Sequence, residues 1–461
     1  MESLNRLIGP DVGALLDERR YDQVRNALVE LEPADVADLI GGLDDEQGAV
    51  TFRLLPRDFA ADVFSYFDAD QQEVLIARMG TERLAVLINE MDPDDRTVLL
   101  EELPAEVANR LIALLTPSER SITQTILNYP EESVGRLMTP DYVRVRRSQT
   151  IGEAIEHIRR YGRDAETVNV IYVVDDHGHL IDDLRIRQIL LADPAETVES
   201  IMDENFVALS VTDDREEAVR QIERYDRVAL PVVDSRGVLL GIVTADDIAD
   251  VAEEEVTEDI HKMGGMEALD APYLESAFSS MVRKRAGWLS VLFVGQMLTA
   301  AAMGYFADEI ERAVILALFL PLIISSGGNA GSQATSLVIR AMAVGEVELR
   351  DVWVVLRREL AAGLSLGLLL GAIGLLRVLI WPGGESAYGQ HYVLLGMTLA
   401  FSTLAVVTFG TFAGSMLPFV LARLGLDPAA ASAPFVATLV DVTGVVIYFT
   451  TAAVLLTGTI L

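Results

Sequence analysis

Residues 433–458 read APFVATLVDVTGVVIYFTTAAVLLTG, 26 positions with one charged side chain, Asp441. A helix crosses a hydrocarbon core of roughly 30 Å with about 20 such residues. Asp441 lies about 12 Å along that helix from Ala433 at roughly 1.5 Å per residue. A carboxylate at that depth is costly and needs a cation, a proton or water. No Lys or Arg lies at comparable depth, because Arg377 sits near a helix end and can snorkel, so no internal salt bridge is expected. Four further apolar segments, near 287–306, 313–339, 360–380 and 393–422, come before this one. Five in one stretch with almost no charge cannot be packed inside a soluble domain. They predict an all-α transmembrane domain of five helices over residues 281–461.

With the first helix entering from the inside, Arg283, Lys284, Arg285, Arg340, Arg350, Arg357, Arg358 and Arg423 fall in inner loops and Arg312 and Arg377 in outer ones. This bias predicts a cytoplasmic N-terminus, an external C-terminus and a multi-pass protein of the cell (inner) membrane. The N-terminal MESLNRLIGPDVGALLDERR has no basic region followed by an apolar core, so no cleavable signal peptide is expected.

The net charge of −34 over 461 residues resides wholly in residues 1–280, which hold 26 basic and 60 acidic side chains; residues 281–461 hold 10 of each. Such a surface repels nucleic acid and anionic headgroups and favours cationic ligands. There is no cysteine, which excludes disulfides, thiolate nucleophiles and Cys-ligated zinc. A membrane zinc hydrolase would need His-Glu-x-x-His within a span, and none of His157, His177, His179, His261 and His391 lies in one. The pair His177-Gly-His179 is expected to be solvated, and no enzymatic activity is expected.

A second constellation, Pro321-Leu-Ile-Ile-Ser-Ser-Gly327-Gly328-Asn329-Ala-Gly331-Ser-Gln333, lies in the second apolar segment. Pro321 and the glycines weaken helical hydrogen bonding and permit close backbone approach, so either an unwound, pore-lining turn or a helix-packing seam would fit. Asn329 and Gln333 share a face at i,i+4, which favours the pore. Asp441 alone is too little ligand for a bare ion. Two copies of it would suit a hydrated Mg²⁺, which dehydrates reluctantly, with Thr438, Thr443 and free carbonyls near Pro434 accepting from its waters.

Residues 1–130 carry Pro or acidic punctuation about every 12 residues, at Leu31-Glu-Pro33, Leu43-Asp-Asp45, Leu55-Pro56, Phe67-Asp-Ala-Asp70, Met91-Asp-Pro93, Leu103-Pro104 and Leu115-Thr-Pro117. Amphipathic stretches such as ADVADLIGGL lie between, predicting an acidic, all-α superhelical array. From residue 137 two α+β units follow, 137–200 and 201–255. Leu137-Met-Thr-Pro140 and Ile201-Met-Asp-Glu204 open them, and hairpin turns are expected at Asp176-His-Gly178 and Ser235-Arg-Gly237. Asp175 and Asp234 occupy equivalent places, the mark of an internal duplication.

The L-M-T-P, V-V-D-x-x-G and G-I-V-T-x-x-D patterns resemble tandem CBS domains, a Bateman module. The whole chain is similar to the MgtE family of magnesium channels, through the acidic helical domain, the CBS pair, Glu253-Glu-Glu-Val-Thr-Glu258-Asp-Ile-His-Lys262, S-G-G-N-A-G-S-Q at 326–333 and P-F-V-A-T-L-V-D-V-T-G at 434–444. The resemblance implies a homodimer in the lipid membrane whose pore is lined by the second and fifth membrane helices. It implies hydrated Mg²⁺ at Asp441 with the backbone of Ala437 nearby, in the pore that Thr438, Gly328, Asn329 and Gln333 are expected to line. It also implies a plug helix from about 256 to 275, within a connecting segment 256–280. Regulatory Mg²⁺ is implied at Asp62, Asp94, Glu216, Asp226, Asp247, Asp250, Glu255, Glu258 and Asp259, closing the pore when cytosolic Mg²⁺ is high.

The residues themselves support that feedback: facing carboxylates repel, and bound divalent ions would bridge them into a compact state. The first CBS unit departs from the pattern, reading Leu180-Ile-Asp-Asp-Leu-Arg-Ile-Arg-Gln188 where the second has Gly241, Thr244 and Asp247. Nucleotide-binding members would hold the ribose with an acid at the position of Gln188, so ATP regulation is not expected in that form. Alternatives to a gated Mg²⁺ channel are a coupled carrier for Co²⁺ or another divalent ion, and a CBS receptor without transport.

Overall fold

The computed structural model describes residues 11–269, 273–274, 276–380, 388, 390–457 and 459. The first ten residues of the N-terminus, residues 270–272 and 275 of the connecting segment, and Gly458 at the end of the last apolar segment lie outside them. The chain forms two compact units, 1–252 and 253–461.

The first unit opens with short helices: α1 (Tyr21–Leu28), α2 (Pro33–Gly41), α3 (Asp45–Phe52), α4 (Arg57–Ser65), α5 (Ala69–Arg78), α6 (Thr81–Glu90), α7 (Pro93–Glu102), α8 (Ala105–Leu114) and α9 (Pro117–Leu127). The recurring punctuation starts them. Pro33, Pro93 and Pro117 occupy first turns, where a missing N–H costs nothing. Asp44 accepts from the amides of Glu46 and Gln47 at 3.0 and 2.9 Å, and Asp68 from that of Gln71 at 2.8 Å. Alternate helices pack together, α2 on α4, α4 on α6 and α6 on α8, as stacking of short helical hairpins requires. Leu28, Leu39, Phe64, Leu84, Ile88 and Leu111 form the core between them.

Buried Arg96 on α7 donates to Glu119 of α9 at 2.7 Å and to the carbonyl of Ile88 at 3.3 Å. Those bonds provide the pairing that a buried guanidinium requires.

Two three-stranded sheets follow. In the first, β1 (Tyr142–Arg146) runs parallel to β2 (Thr167–Val174), which pairs antiparallel with β3 (Leu180–Arg185). In the second, β4 (Leu209–Ser210), β5 (Ala229–Val233) and β6 (Leu239–Thr244) repeat that order. Helices α10 (Val134–Leu137), α11 (Ile151–Tyr161), α12 (Ile186–Leu191) and α13 (Arg215–Tyr225) pack on them. Both expected hairpins form, turning at Gly178 and Gly237 with φ of 86° and 82°. Asp175 accepts from the amides of His177 and His179, and Asp234 from those of Arg236 and Val238. The two aspartates are thus equivalent turn caps.

The departures of the first unit have a structural reason. Asp182 stands where the second unit has Gly241, and its buried carboxylate accepts from the amides of Asp183, Asp203 and Glu204 at 2.9, 2.9 and 3.1 Å. Asp183 is ion-paired with Arg227 at 2.9 Å. These acids tie one repeat to the other. Gln188 accepts from the amide of Arg185 at 2.8 Å, occupying its carbonyl oxygen at a helix start.

Helix α14 (Ala245–Met263) crosses the boundary between the units. The connecting helix expected near 256–275 is therefore the second half of a longer helix, and it stops at Met263. Gly264 and Gly265 end it, the latter at φ +74° with the Trp288 ring so close that a Cβ would lie 2.7 Å from it.

In the second unit, α15 (Phe278–Tyr305), α16 (Ala307–Arg312), α17 (Val314–Ala317), α18 (Leu320–Ala343), α19 (Val352–Ile380), α20 (Tyr392–Arg423) and α21 (Ala433–Leu456) include five stretches long and apolar enough to cross a membrane. The first and third begin at Phe278 and Leu349, ahead of the expected 287 and 360. Apolarity marks where lipid begins, whereas the helices continue through their charged ends.

Helix α18 is continuous, so the unwound turn expected at 325–333 does not occur. Pro321 lies in the first turn, and the glycines let neighbours approach. A Cβ on Gly331 would lie 2.9 Å from the carbonyl oxygen of Gly410, and one on Gly414 would meet that of Gly331. The Thr335 hydroxyl donates to the carbonyls of Gly331 and Gly414, at 2.9 and 3.0 Å. Those glycines are a packing seam between α18 and α20.

Candidate ion pathway and divalent-cation sensor

Helices α18 and α21 run antiparallel in close contact. Gly328 faces Ala437, a Cβ on it lying 3.6 Å from that residue's own, while Gly331 meets Val436 and Gly444 meets Ile324. This register sets Asn329 near the level of Thr438, about one helical turn from Asp441 at roughly 1.5 Å per residue. Asn329 and Gln333 lie on the exposed side of α18, in a stripe running from Leu322 through Asn329 and Gln333 to Leu337 and Arg340. This polar stretch is left uncovered by the other described residues of the chain.

Asp441 is half-buried on α21, and its carboxylate is hydrogen-bonded by the side chain of Gln296 on α15. Sequence reasoning missed Gln296. The signal was there: it is the only amide side chain in the apolar run 287–306. Gly295 beside it lets α15 approach Thr438, and Trp288 donates to the Ser432 hydroxyl at 3.1 Å. The carbonyls expected to be free near Pro434 are occupied. Pro434 accepts from the Thr438 hydroxyl at 3.0 Å and Ala433 from that of Ser332 at 3.2 Å. Thr443 likewise donates to Leu439 at 2.8 Å. Threonines within helices bond back one turn, and their remaining lone pairs face away from the backbone.

The end of α14 packs against the segment that precedes α21. Met263 packs with Ile339, Ala429 and Ala431, and Lys262 is ion-paired with Asp427 at 2.7 Å and with Glu258 one turn back. Glu255 and Asp259 share this half of the helix. The pairing of Lys262, across 165 residues to Asp427, could not be read from spacing.

In the first unit, acidic side chains crowd together. Asp94 on α7 is buried, and its neighbours Asp247, Asp95, Glu166 and Asp92 all raise its proton affinity beyond what burial alone does. Asp247 accepts from the Thr244 hydroxyl at 2.6 Å. Asp246, Asp95, Asp250 and Asp62 surround Tyr66, whose phenol is pushed up by burial and by their charge. The fold thus gathers Asp62, Asp94, Asp247 and Asp250 with four acids not assigned to Mg²⁺ from the sequence: Asp92, Asp95, Glu166 and Asp246. Glu166 had no local signal, lying outside the helical array.

Two expected residues stand apart. Glu216 lies in the first turn of α13, paired with Arg220 at 3.4 Å, and Asp226 caps the other end in a left-handed conformation. Neither is among the strongest charges acting on Asp94. Among the described residues, no three acidic or histidine side chains converge on one point as ligands to a metal ion. The acids are a repelling field, suited to hydrated divalent ions that bridge across water.

Burial pushes Asp95 up to about 6, with Asp92, Asp247 and Asp62 adding to it, and burial with Asp92 and Asp247 pushes Glu166 up to about 7. A carboxyl raised by folding favours the folded arrangement below its unfolded pKa, and that contribution is lost as pH rises through the folded one. In the absence of divalent ions, the full-length protein is expected to become less resistant to proteolysis between helices α7 and α14 as pH rises from about 4.5 through 7. Equal cleavage across that window would contradict the crowding.

Comparison with known proteins agrees with this architecture. The family model described as "Divalent cation transporter" matches residues 320–451, "MgtE intracellular N domain" matches 31–132, and "CBS domain" matches 134–194 and 198–254. A magnesium transporter MgtE of Thermus thermophilus is 38% identical over 444 residues, covering 96% of this chain and 97% of the relative. One of Bacillus subtilis is 30% identical, covering 94% of each. A crystal structure of the cytosolic domain of the Mg²⁺ channel MgtE in complex with ATP covers 53% of this chain and 99% of its own, at 36% identity and a TM-score of 0.51. With the N domain, the CBS pair and the transporter domain matched in order, and a relative 38% identical along 96% of the chain, the chain belongs to the MgtE family of divalent cation transporters.

Proposed function

We propose that this protein carries Mg²⁺ across the cell membrane and is closed by Mg²⁺ binding on the cytoplasmic side. The observation that carries the reading is Asp441, a carboxylate half-buried among apolar helices and hydrogen-bonded by Gln296, about one helical turn from the level at which α18 exposes Asn329. Its partner there is a neutral amide and not a base, so a cation can take the place of a counter-charge. Hydrated Mg²⁺ suits it, because water molecules can link the carboxylate to Thr438, Asn329 and Gln333 without close convergence of ligands. The Mg²⁺ transport named for the relatives supports the choice of ion.

The exposed polar stripe of α18 supports a homodimer, in which a second copy covers it and completes the pathway. The cytoplasmic N-terminus follows from the inner bias of the arginines. In this reading residues 1–130, 137–200 and 201–255 sense Mg²⁺ and 281–461 transport it. Helix α14 joins the two, carrying Asp247 and Asp250 at one end and Glu255, Glu258 and Asp259 at the other. Ions that screen the crowded acids favour a compact sensor, and the shared helix transmits that state to the pore.

The test is Mg²⁺ uptake into liposomes holding the purified full-length chain. Uptake is expected at low Mg²⁺ on the cytoplasmic face and should fall when Mg²⁺ is raised there. No uptake in either condition, from protein shown to be folded and inserted, would refute the reading.

A further inference from the structure

At the end of the membrane domain where α20 finishes and α19 begins, a groove of about 380 Å³ opens between the two. Val352, Met416, Phe419 and Val420 line it, and Arg350 and Arg423 stand at its rim. Phe419 is buried, whereas Val420 is 52% exposed, so the groove has an apolar floor and an open side. Arg350 is ion-paired with Glu348 at 3.0 Å, and Arg423 makes no hydrogen bond or ion pair among the described residues. Trp353, next to Val352, is 71% exposed. An exposed Trp at a membrane helix end marks the level of the lipid headgroups.

We propose that this groove holds one anionic glycerophospholipid of the inner leaflet, its phosphate between Arg350 and Arg423 and an acyl chain along Val352, Phe419 and Val420. The chemistry on each part of the groove matches that occupant. A guanidinium forks onto phosphate oxygens, and the apolar floor below it lies at the depth of acyl chains. A second copy of this chain fits less well, because it would bury Arg423 opposite a membrane domain with no surplus of acid. The acidity of the chain does not oppose the site, since residues 281–461 carry 10 basic and 10 acidic side chains. The leaflet assignment rests on the orientation proposed above, but the binding itself does not depend on transport.

The test uses the full-length chain with Trp288→Phe and Trp381→Phe, so that only Trp353 fluoresces. It is placed in phosphatidylcholine vesicles in which either phosphatidylcholine or phosphatidylglycerol carries brominated acyl chains. An arginine near the headgroups is worth about fivefold in preference for an anionic lipid. Brominated phosphatidylglycerol should therefore quench Trp353 at several-fold lower mole fraction than brominated phosphatidylcholine. Arg423→Gln should cut that preference about fivefold, Arg423→Lys should retain most of it, and Arg350→Gln/Arg423→Gln should bring it close to one. Equal quenching by the two lipids, a preference unchanged in the double variant, or no quenching because protein covers the groove would each overturn the proposal. Mg²⁺ uptake is not the readout, so a failure of the transport reading leaves this result interpretable.

Discussion

Replacing Asp441 with Ala is expected to lower Mg²⁺ flux about ten- to hundredfold while leaving a folded, membrane-inserted protein. A hydrogen bond to a charged group contributes about 1.5–3 kcal/mol, which converts to that range. The fold survives because the carboxylate is half-buried and its hydrogen-bond partner, Gln296, retains an exposed side chain on α15. Asp441→Asn should behave almost as badly, since the amide keeps the shape and loses the charge. Gln296→Ala should cost less, as that residue positions the carboxylate without supplying charge. Flux is measured in liposomes at low internal and external Mg²⁺, with size-exclusion profiles as the check on folding. Wild-type flux from Asp441→Ala would remove this residue from the pathway.

The second large effect concerns closure. Asp62→Asn, Asp94→Asn, Asp95→Asn and Asp247→Asn together should leave flux at low Mg²⁺ intact but abolish its suppression at high cytoplasmic Mg²⁺. Each side chain keeps its size and loses a charge that repels its neighbours. Asp94 is buried and Asp95 is pushed up to about 6, so neutral amides suit their surroundings better than paired carboxylates would. Without those carboxylates Mg²⁺ has nothing to bridge, so added Mg²⁺ should no longer protect the variant from proteolysis as it protects the wild type. The midpoint for inhibition should move at least tenfold, or inhibition vanish. Unaltered inhibition would place the sensor elsewhere, with the acids at the two ends of α13 as the next residues to change.

The residues differ in how far their roles could be read without coordinates. Asp441 could be identified because membrane depth makes a lone acid conspicuous. Gln296 could not be paired with it, since nothing in one helix states which face a second helix presents. The glycines of 327–331 were ambiguous between an unwound turn and a seam. Sequence records that a Cβ is absent, and only the carbonyls of Gly410 and Gly331 show what occupies its space. Similarly, Asp182 and Asp183 read as defects in a CBS pattern until their bonds to 203–204 and Arg227 appear.

Whatever depends on near neighbours along the chain can be read from residue order. Spans follow from runs of apolar side chains, helix starts from Pro and Asp at fixed offsets, and the duplication from matching turns at Gly178 and Gly237. Tertiary structure alone decided which distant charges share a space. Glu166 joins Asp94, and Lys262 joins Asp427, because packing of apolar faces brings their backbones together. Electrostatic energy depends on separation and burial in three dimensions, and residue spacing specifies neither once the chain has turned.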